Sequence, residues 1–160
     1  MIALLFFSMI MFLAFNAKIV GTYGVPTSLS RSYYLLDKRG WIFSVMLTIT
    51  AMSLMVVLLS VTTGRWYQFI AFIAAASTIF VAFSPRYIEV YHSKIHLIAA
   101  TAGAVAAVML SLLLGYWYVI VGAVVLFGAI AIKRGNIIYW AEMACFAVVY
   151  ISGFLAIYGV

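Results

Sequence analysis

The stretch WIFSVMLTITAMSLMVVLLSVTT, residues 41–63, carries no charged side chain over 23 positions. A helix needs about 20 predominantly apolar residues to cross the hydrocarbon core of a bilayer, so this segment predicts a transmembrane helix. It opens on Trp41 and runs into Gly64 and Arg65. An amphipathic aromatic at one boundary and a charge at the other match the two membrane–water interfaces.

Working outward, similar runs lie near residues 66–83, 95–114, 116–132 and 137–158, and one precedes it near 2–20. Together they predict an all-α polytopic membrane protein, a six-transmembrane-helix bundle with short loops that forms a single domain over residues 1–160. The composition agrees: 69% of the 160 residues are hydrophobic and 8% charged, against about a quarter charged in a soluble domain. A chain of this size hides only about 70% of its unfolded surface on folding. A cytosolic enzyme, a disulfide scaffold and a disordered tail are thereby excluded. The single cysteine, Cys145, lies in an apolar run and reads as a packing residue.

The first span is the weakest, because its clean apolar run ends at Phe15 and is interrupted by Asn16 and Lys18. Lys18 can snorkel to the interface and let Ile19 and Val20 complete the crossing. A cleaved signal peptide is the rival reading, but no basic stretch precedes the run.

The net charge of +6 comes from nine Lys and Arg against Asp37, Glu89 and Glu142. With six spans, Lys18, Arg31, Lys38, Arg39, Arg86, Lys94, Lys133 and Arg134 fall on one side and Arg65 alone on the other. By the positive-inside rule the three basic loops are cytoplasmic and both termini outside. Basic residues scattered singly or in pairs between apolar runs set topology and do not build a nucleic-acid surface. Tyr33, Tyr34, Trp66, Tyr67, Tyr116, Trp117, Tyr118, Tyr139 and Trp140 mark span boundaries as an aromatic belt.

An ionisable side chain within a span is a candidate functional residue, because its burial in hydrocarbon is costly. Glu142 in the last span and His96 at the mouth of the fourth meet that description. Positions three, four, seven and eleven residues beyond His96 are Ala99, Ala100, Gly103 and Ala107, a small-residue stripe that turns His96 toward the bundle interior. Ala71, Ala74, Ala75 and Thr78 in the third span, and Ser44, Thr48 and Ala51 in the second, form similar faces. These Ala/Gly faces serve packing within the bundle or a homo-oligomer. His96 and Glu142 both lie near the cytoplasmic ends of their spans, so they are candidates to meet as an acid/base pair. The alternative is structural: Glu142 pairs with Lys133 or Arg134, or hydrogen-bonds a helix end. His92 and His96 have HxxxH spacing, which places two imidazoles on one helical face, but a metal requires a third ligand from Glu142 or Asp37. No metal or cofactor is expected.

The polar loop Gly24-Val25-Pro26-Thr27-Ser28-Leu29-Ser30-Arg31-Ser32-Tyr33-Tyr34 predicts a short interfacial helix toward Asp37, capped by Ser28, Ser30 or Ser32. As a lid or headgroup-binding element, it would use Ser28, Ser30, Arg31 and Tyr34 against lipid phosphate.

Pro26, Ser28, Leu29 and Ser30, with Phe43 early in the second span, resemble the Pro-x-Ile-Ser motif and downstream Phe of a six-span family. That family contains a GPI-anchor lipid-remodelling factor and the damage-regulated autophagy modulators. Residues 24–36, Phe80-Val81-Ala82-Phe83-Ser84-Pro85 and His96 are more closely similar to uncharacterised small six-span membrane proteins of bacteria and their phages. The resemblance implies a six-helix fold in a bacterial inner membrane.

Three functions fit the residues. The first is a lipid-interacting or structural role without chemistry, with membrane lipids as partners and no nucleic acid. The second is an intramembrane enzyme acting on a lipid, with His96 and Glu142 as catalytic acid/base residues. The third is a small proton or cation channel or transporter, demoted by the scarcity of inward-facing polar residues.

Overall fold

A computed structural model describes residues 1–84 and 90–159, with the backbone alone for residues 90–93. Arg86 and Glu89, the Pro85 end of the 80–85 motif and the side chain of His92 lie outside the described residues. Among those described, the chain forms α1 (Ile2–Tyr23), the short α2 (Arg31–Leu35), a 3-10 turn (Asp37–Arg39), α3 (Trp41–Val61), α4 (Gln68–Phe83), α5 (Val90–Leu113), α6 (Trp117–Arg134) and α7 (Ile137–Tyr158). The protein is all-α and multi-pass. Five helices, α1, α3, α5, α6 and α7, are long and apolar enough to cross a membrane.

The sixth apolar helix, α4, spans 16 residues, roughly 24 Å at about 1.5 Å per residue, less than the 30 Å or so of a hydrocarbon core. The sequence placed this span at 66–83, but Arg65, Trp66 and Tyr67 are drawn into the turn. Arg65 N–H donates to Thr62 O at 3.0 Å and Gln68 N–H to Arg65 O at 3.1 Å. The Gln68 side chain secures the turn with a 2.9 Å bond to Leu59 O.

α1 runs through Asn16 and Lys18, as a span at 2–20 requires, and continues three residues further to Tyr23. Asn16 is buried and its amide donates to Phe12 O at 2.8 Å, within its own helix. A polar side chain that satisfies itself in this way does not end a helix in lipid.

α1, α3, α4, α5 and α7 close a ring in which each packs on the next, with α7 also touching α3. α6 lies outside against α7 and α5, with Val121, Val124, Val125, Leu126 and Ile132 exposed on its outer face. Two packing modes hold the ring. Between α1, α3 and α7 the core is large-residue: Leu5, Phe12, Phe43, Leu47, Leu54, Tyr139 and Tyr150 are buried, and the Phe12 and Phe146 rings stack at 4.2 Å. Between α4 and α5 it is small-residue, through Ala71, Ala74 and Ala106. A Cβ on Gly103 would meet the Ser77 Cβ at 3.2 Å, so these two backbones approach as only small side chains permit. The Ala/Gly faces named from sequence are therefore used inside the chain.

Where association gains nothing from excluding water, interhelical hydrogen bonds add specificity. Ser8 of α1 donates to Thr50 O of α3 at 3.2 Å and pairs with the Tyr150 hydroxyl of α7 at 2.9 Å. Ser111 of α5 and Ser152 of α7 form a hydroxyl pair.

Candidate functional site

The polar features gather where α1 ends and α7 begins. α1 stops at Gly24, whose φ of 77° lies in the left-handed region that glycine tolerates. The chain then folds back over the bundle, burying Pro26 and Leu29. Ser28 Oγ accepts from Arg31 N–H at 3.3 Å and lies 3.2 Å from Ser30 Oγ. Ser28 thus caps α2, as one of the three serines expected in that role, while Ser30 at the N-cap position makes no cap bond.

α7 fastens this loop at two points. Asn136, in left-handed conformation (φ 56°) just before α7, donates its side-chain amide to Val25 O at 2.9 Å. Six residues on, Glu142 Oε2 accepts the backbone N–H of Leu29 at 2.6 Å. The start of α7 and the residue before it therefore hold both ends of residues 25–29. Glu142 does not pair with Lys133 or Arg134, both of which are exposed; it binds the backbone at the approach to α2, the second structural role anticipated for it.

Tyr139 lies one turn before Glu142 on the same helix and is 2% exposed. Its hydroxyl points at Asn16 Oδ1 at a long 3.5 Å. Sequence reasoning assigned Tyr139 to the aromatic belt and Asn16 to a frayed span end. The available signal was an amide in an otherwise apolar helix, which calls for an internal partner.

His96 has a different partner. Its Nδ1 lies 2.5 Å from Ser84 Oγ, just past the end of α4. Ser84 donates its own proton to Val81 O at 3.0 Å. A hydroxyl has one proton to give, so Nδ1–H is the donor toward Ser84. The contact fastens the start of α5 to the end of α4. No hydrogen bond among the described residues joins His96 to Glu142, and among them no group of three His, Cys, Asp or Glu could hold a metal ion. Ser84 escaped the sequence reading because its partner lies on another helix.

Of the headgroup-binding set, Ser28 and Ser30 are half-buried and bonded to one another. Arg31 is exposed, with its guanidinium 5.9 Å from the centre of the exposed Tyr34 ring, a cation–π distance. Two concavities accompany these groups. One is an apolar groove of about 280 Å³ between α5, α6 and α7, floored by Ala141, Cys145 and Val148. The other, polar and about 370 Å³, lies between the end of α1 and the 3-10 turn.

No family model, curated protein or solved structure matches the chain.

Proposed function

We propose that this protein is a lipid-interacting structural component of the membrane, without chemistry of its own, that crosses the bilayer six times with its basic end in the cytoplasm. In this reading the shorter α4 crosses with local thinning of the bilayer. Residues 24–40 form an interfacial platform at the headgroup level, and Arg31 and Tyr34 face the lipid. The resemblance to six-span bacterial and phage proteins belongs to the same reading.

The observation that carries it is the 2.6 Å bond from Leu29 N–H to Glu142. The one acid in a described span is spent on holding backbone, and Ser84 gives its proton to a carbonyl. An acid/base residue needs an exchangeable proton within reach of a substrate, whereas a clamp needs a fixed acceptor. The test is to purify the full-length protein in mild detergent, identify the lipids that accompany it by mass spectrometry, and incubate it with a total bacterial lipid extract. Retained, chemically unaltered lipid is the expected result. Conversion of any lipid by wild type that is abolished in Glu142→Gln or His96→Ala would overturn this reading in favour of an intramembrane enzyme. A proton flux in liposomes abolished by Glu142→Gln would overturn it in favour of transport.

A further inference from the structure

The polar concavity at the basic end is lined on one side by α1, with Lys18, Thr22 and Tyr23 above the buried Ile19. On the other side it is lined by Asp37, Lys38 and Arg39 of the 3-10 turn, with half-buried Leu36 beside them. Its volume of about 370 Å³ falls within the range of about 300–1,000 Å³ usual for small-ligand sites. Three cations face one carboxylate, an excess of two positive charges. Among the described residues, no side-chain hydrogen bond or ion pair occupies Lys18, Lys38 or Arg39. The carbonyl end of α1 opposes an anion here with about half a charge, which the cations outweigh.

The turn that supplies two of those cations is held in place. Asp37 has a φ of 48°, a left-handed conformation that costs energy for a residue with a Cβ and persists only where its surroundings enforce it. Arg39 N–H donates to Leu36 O and Gly40 N–H to Asp37 O, each at 2.9 Å. A Cβ on Gly40 would lie 2.7 Å from Tyr33 O, so the turn sits against α2 at a distance only glycine allows. The backbone that carries Lys38 and Arg39 is thereby fixed, while their side chains, like that of Lys18, are exposed.

We infer that this pocket binds the phosphate of a membrane-lipid headgroup, held by Lys18, Lys38 and Arg39, with the glycerol and upper acyl carbons against Leu36 and Tyr23. The inference rests on the lipid-interacting reading above and assigns it a site other than the one read from sequence at residues 28–34. Two features favour a lipid over a soluble anion. The pocket sets its cations beside the half-buried Leu36, and Tyr23, half exposed at its rim, is an aromatic of the kind that sits at headgroup depth.

The full-length protein in micelles containing equimolar phosphatidylglycerol and phosphatidylcholine, where membrane orientation plays no part, provides the test by native mass spectrometry. Wild type is compared with Lys18→Gln/Lys38→Gln/Arg39→Gln, with a charge-preserving Lys18→Arg/Lys38→Arg/Arg39→Lys variant, and with Lys133→Gln/Arg134→Gln, which removes charge elsewhere. Circular dichroism checks that each folds. Wild type should retain phosphatidylglycerol preferentially. Each basic residue near an anionic headgroup contributes about fivefold, so the triple neutralisation should lower retention about a hundredfold. The charge-preserving and Lys133/Arg134 variants should stay within about threefold of wild type, less than one such step. Equal retention by the neutralised variant would overturn the pocket and leave the lipid-interacting reading standing. Absence of retained lipid from every protein would overturn both. Thermal stabilisation of wild type, but not of the neutralised variant, by inorganic phosphate with no lipid retained would make the ligand a soluble phosphate and overturn the lipid assignment.

Discussion

Replacing Glu142 by alanine removes the acceptor of the Leu29 N–H and leaves that donor, on a residue 6% exposed, without its partner. A typical hydrogen bond contributes about 0.5–1.5 kcal/mol net, and an unsatisfied buried donor costs about 1–3 kcal/mol. These are two descriptions of one loss, so they are not added; about 2 kcal/mol is expected. The loss falls on the local opening of residues 24–36, because the helix packing of α3, α4 and α5 does not pass through this bond. Two kcal/mol is about a thirtyfold change in an opening equilibrium. Hydrogen–deuterium exchange of the purified protein should therefore speed up about thirtyfold for amides in residues 24–36, with α3 and α4 unchanged. Trypsin should cut sooner after Arg31. Glu142→Gln keeps a carbonyl oxygen that can accept the same N–H, so it should lose no more than about 1 kcal/mol, less than the alanine variant. Exchange in Glu142→Ala within twofold of wild type would refute the clamp. Glu142→Gln as damaging as Glu142→Ala would refute its assignment to this hydrogen bond and return the residue to a role that needs its charge.

Three further outcomes follow from the packing and the topology. Ser8→Ala breaks the links to Thr50 O and the Tyr150 hydroxyl; interhelical bonds of this kind average about 0.6 kcal/mol and reach about 1.7, so thermal unfolding in detergent should shift down, while Ser60→Ala, whose exposed hydroxyl bonds only its own helix, should not move it. Gly103→Val should cost about 1–3 kcal/mol by overpacking the α4–α5 contact, whereas Gly122→Ala on α6, where a Cβ meets nothing within 4 Å, should be neutral or gain up to about 1 kcal/mol from helix propensity; equal effects at the two sites would refute the close approach. In a Cys145→Ser background, single cysteines at the exposed positions Thr27 and Tyr158 report sidedness in intact cells: an impermeant maleimide should modify the second and spare the first, and the reverse pattern would overturn the orientation read from the basic residues.

The helices were legible because hydropathy and length alone determine them. α7 matches the run predicted at residues 137–158, and α3 the run at 41–63 to within two residues. Boundaries failed where a polar side chain found a partner that local sequence does not display. The Arg65–Tyr67 turn, tied to α3 by Gln68, shortened α4. The candidate site was legible in its membership and not in its pairings. Glu142, Ser28 and the 24–36 loop all stood out as polar groups in apolar surroundings, but Leu29 and Glu142 are 113 residues apart. Helical spacing gives the direction of a side chain and leaves the neighbouring helix open. His96 pointed inward as its small-residue stripe required, yet the partner it met at hydrogen-bonding distance was Ser84, at the end of α4.

The headgroup set at Ser28, Ser30, Arg31 and Tyr34 was chosen from sequence because it is the densest polar run, whereas density is equally what a loop needs to satisfy its own backbone near a membrane. A loop that must leave α1, fold over the bundle and enter α3 buries part of its backbone against the protein, and buried amides need partners. Two side chains of α7 and its cap take up two of its backbone groups, through Asn136 to Val25 and Glu142 to Leu29, and Ser28 takes up a third at Arg31. α7 holds that end of the segment, and the close fit of Gly40 on Tyr33 sets the 3-10 turn against α2, which limits the positions open to the backbone under Lys38 and Arg39. A binding group gains affinity from being fixed before its ligand arrives. In the proposed reading the half-buried Glu142 acts on the pocket at a distance, because its clamp holds the loop that leads to the turn carrying Lys38 and Arg39.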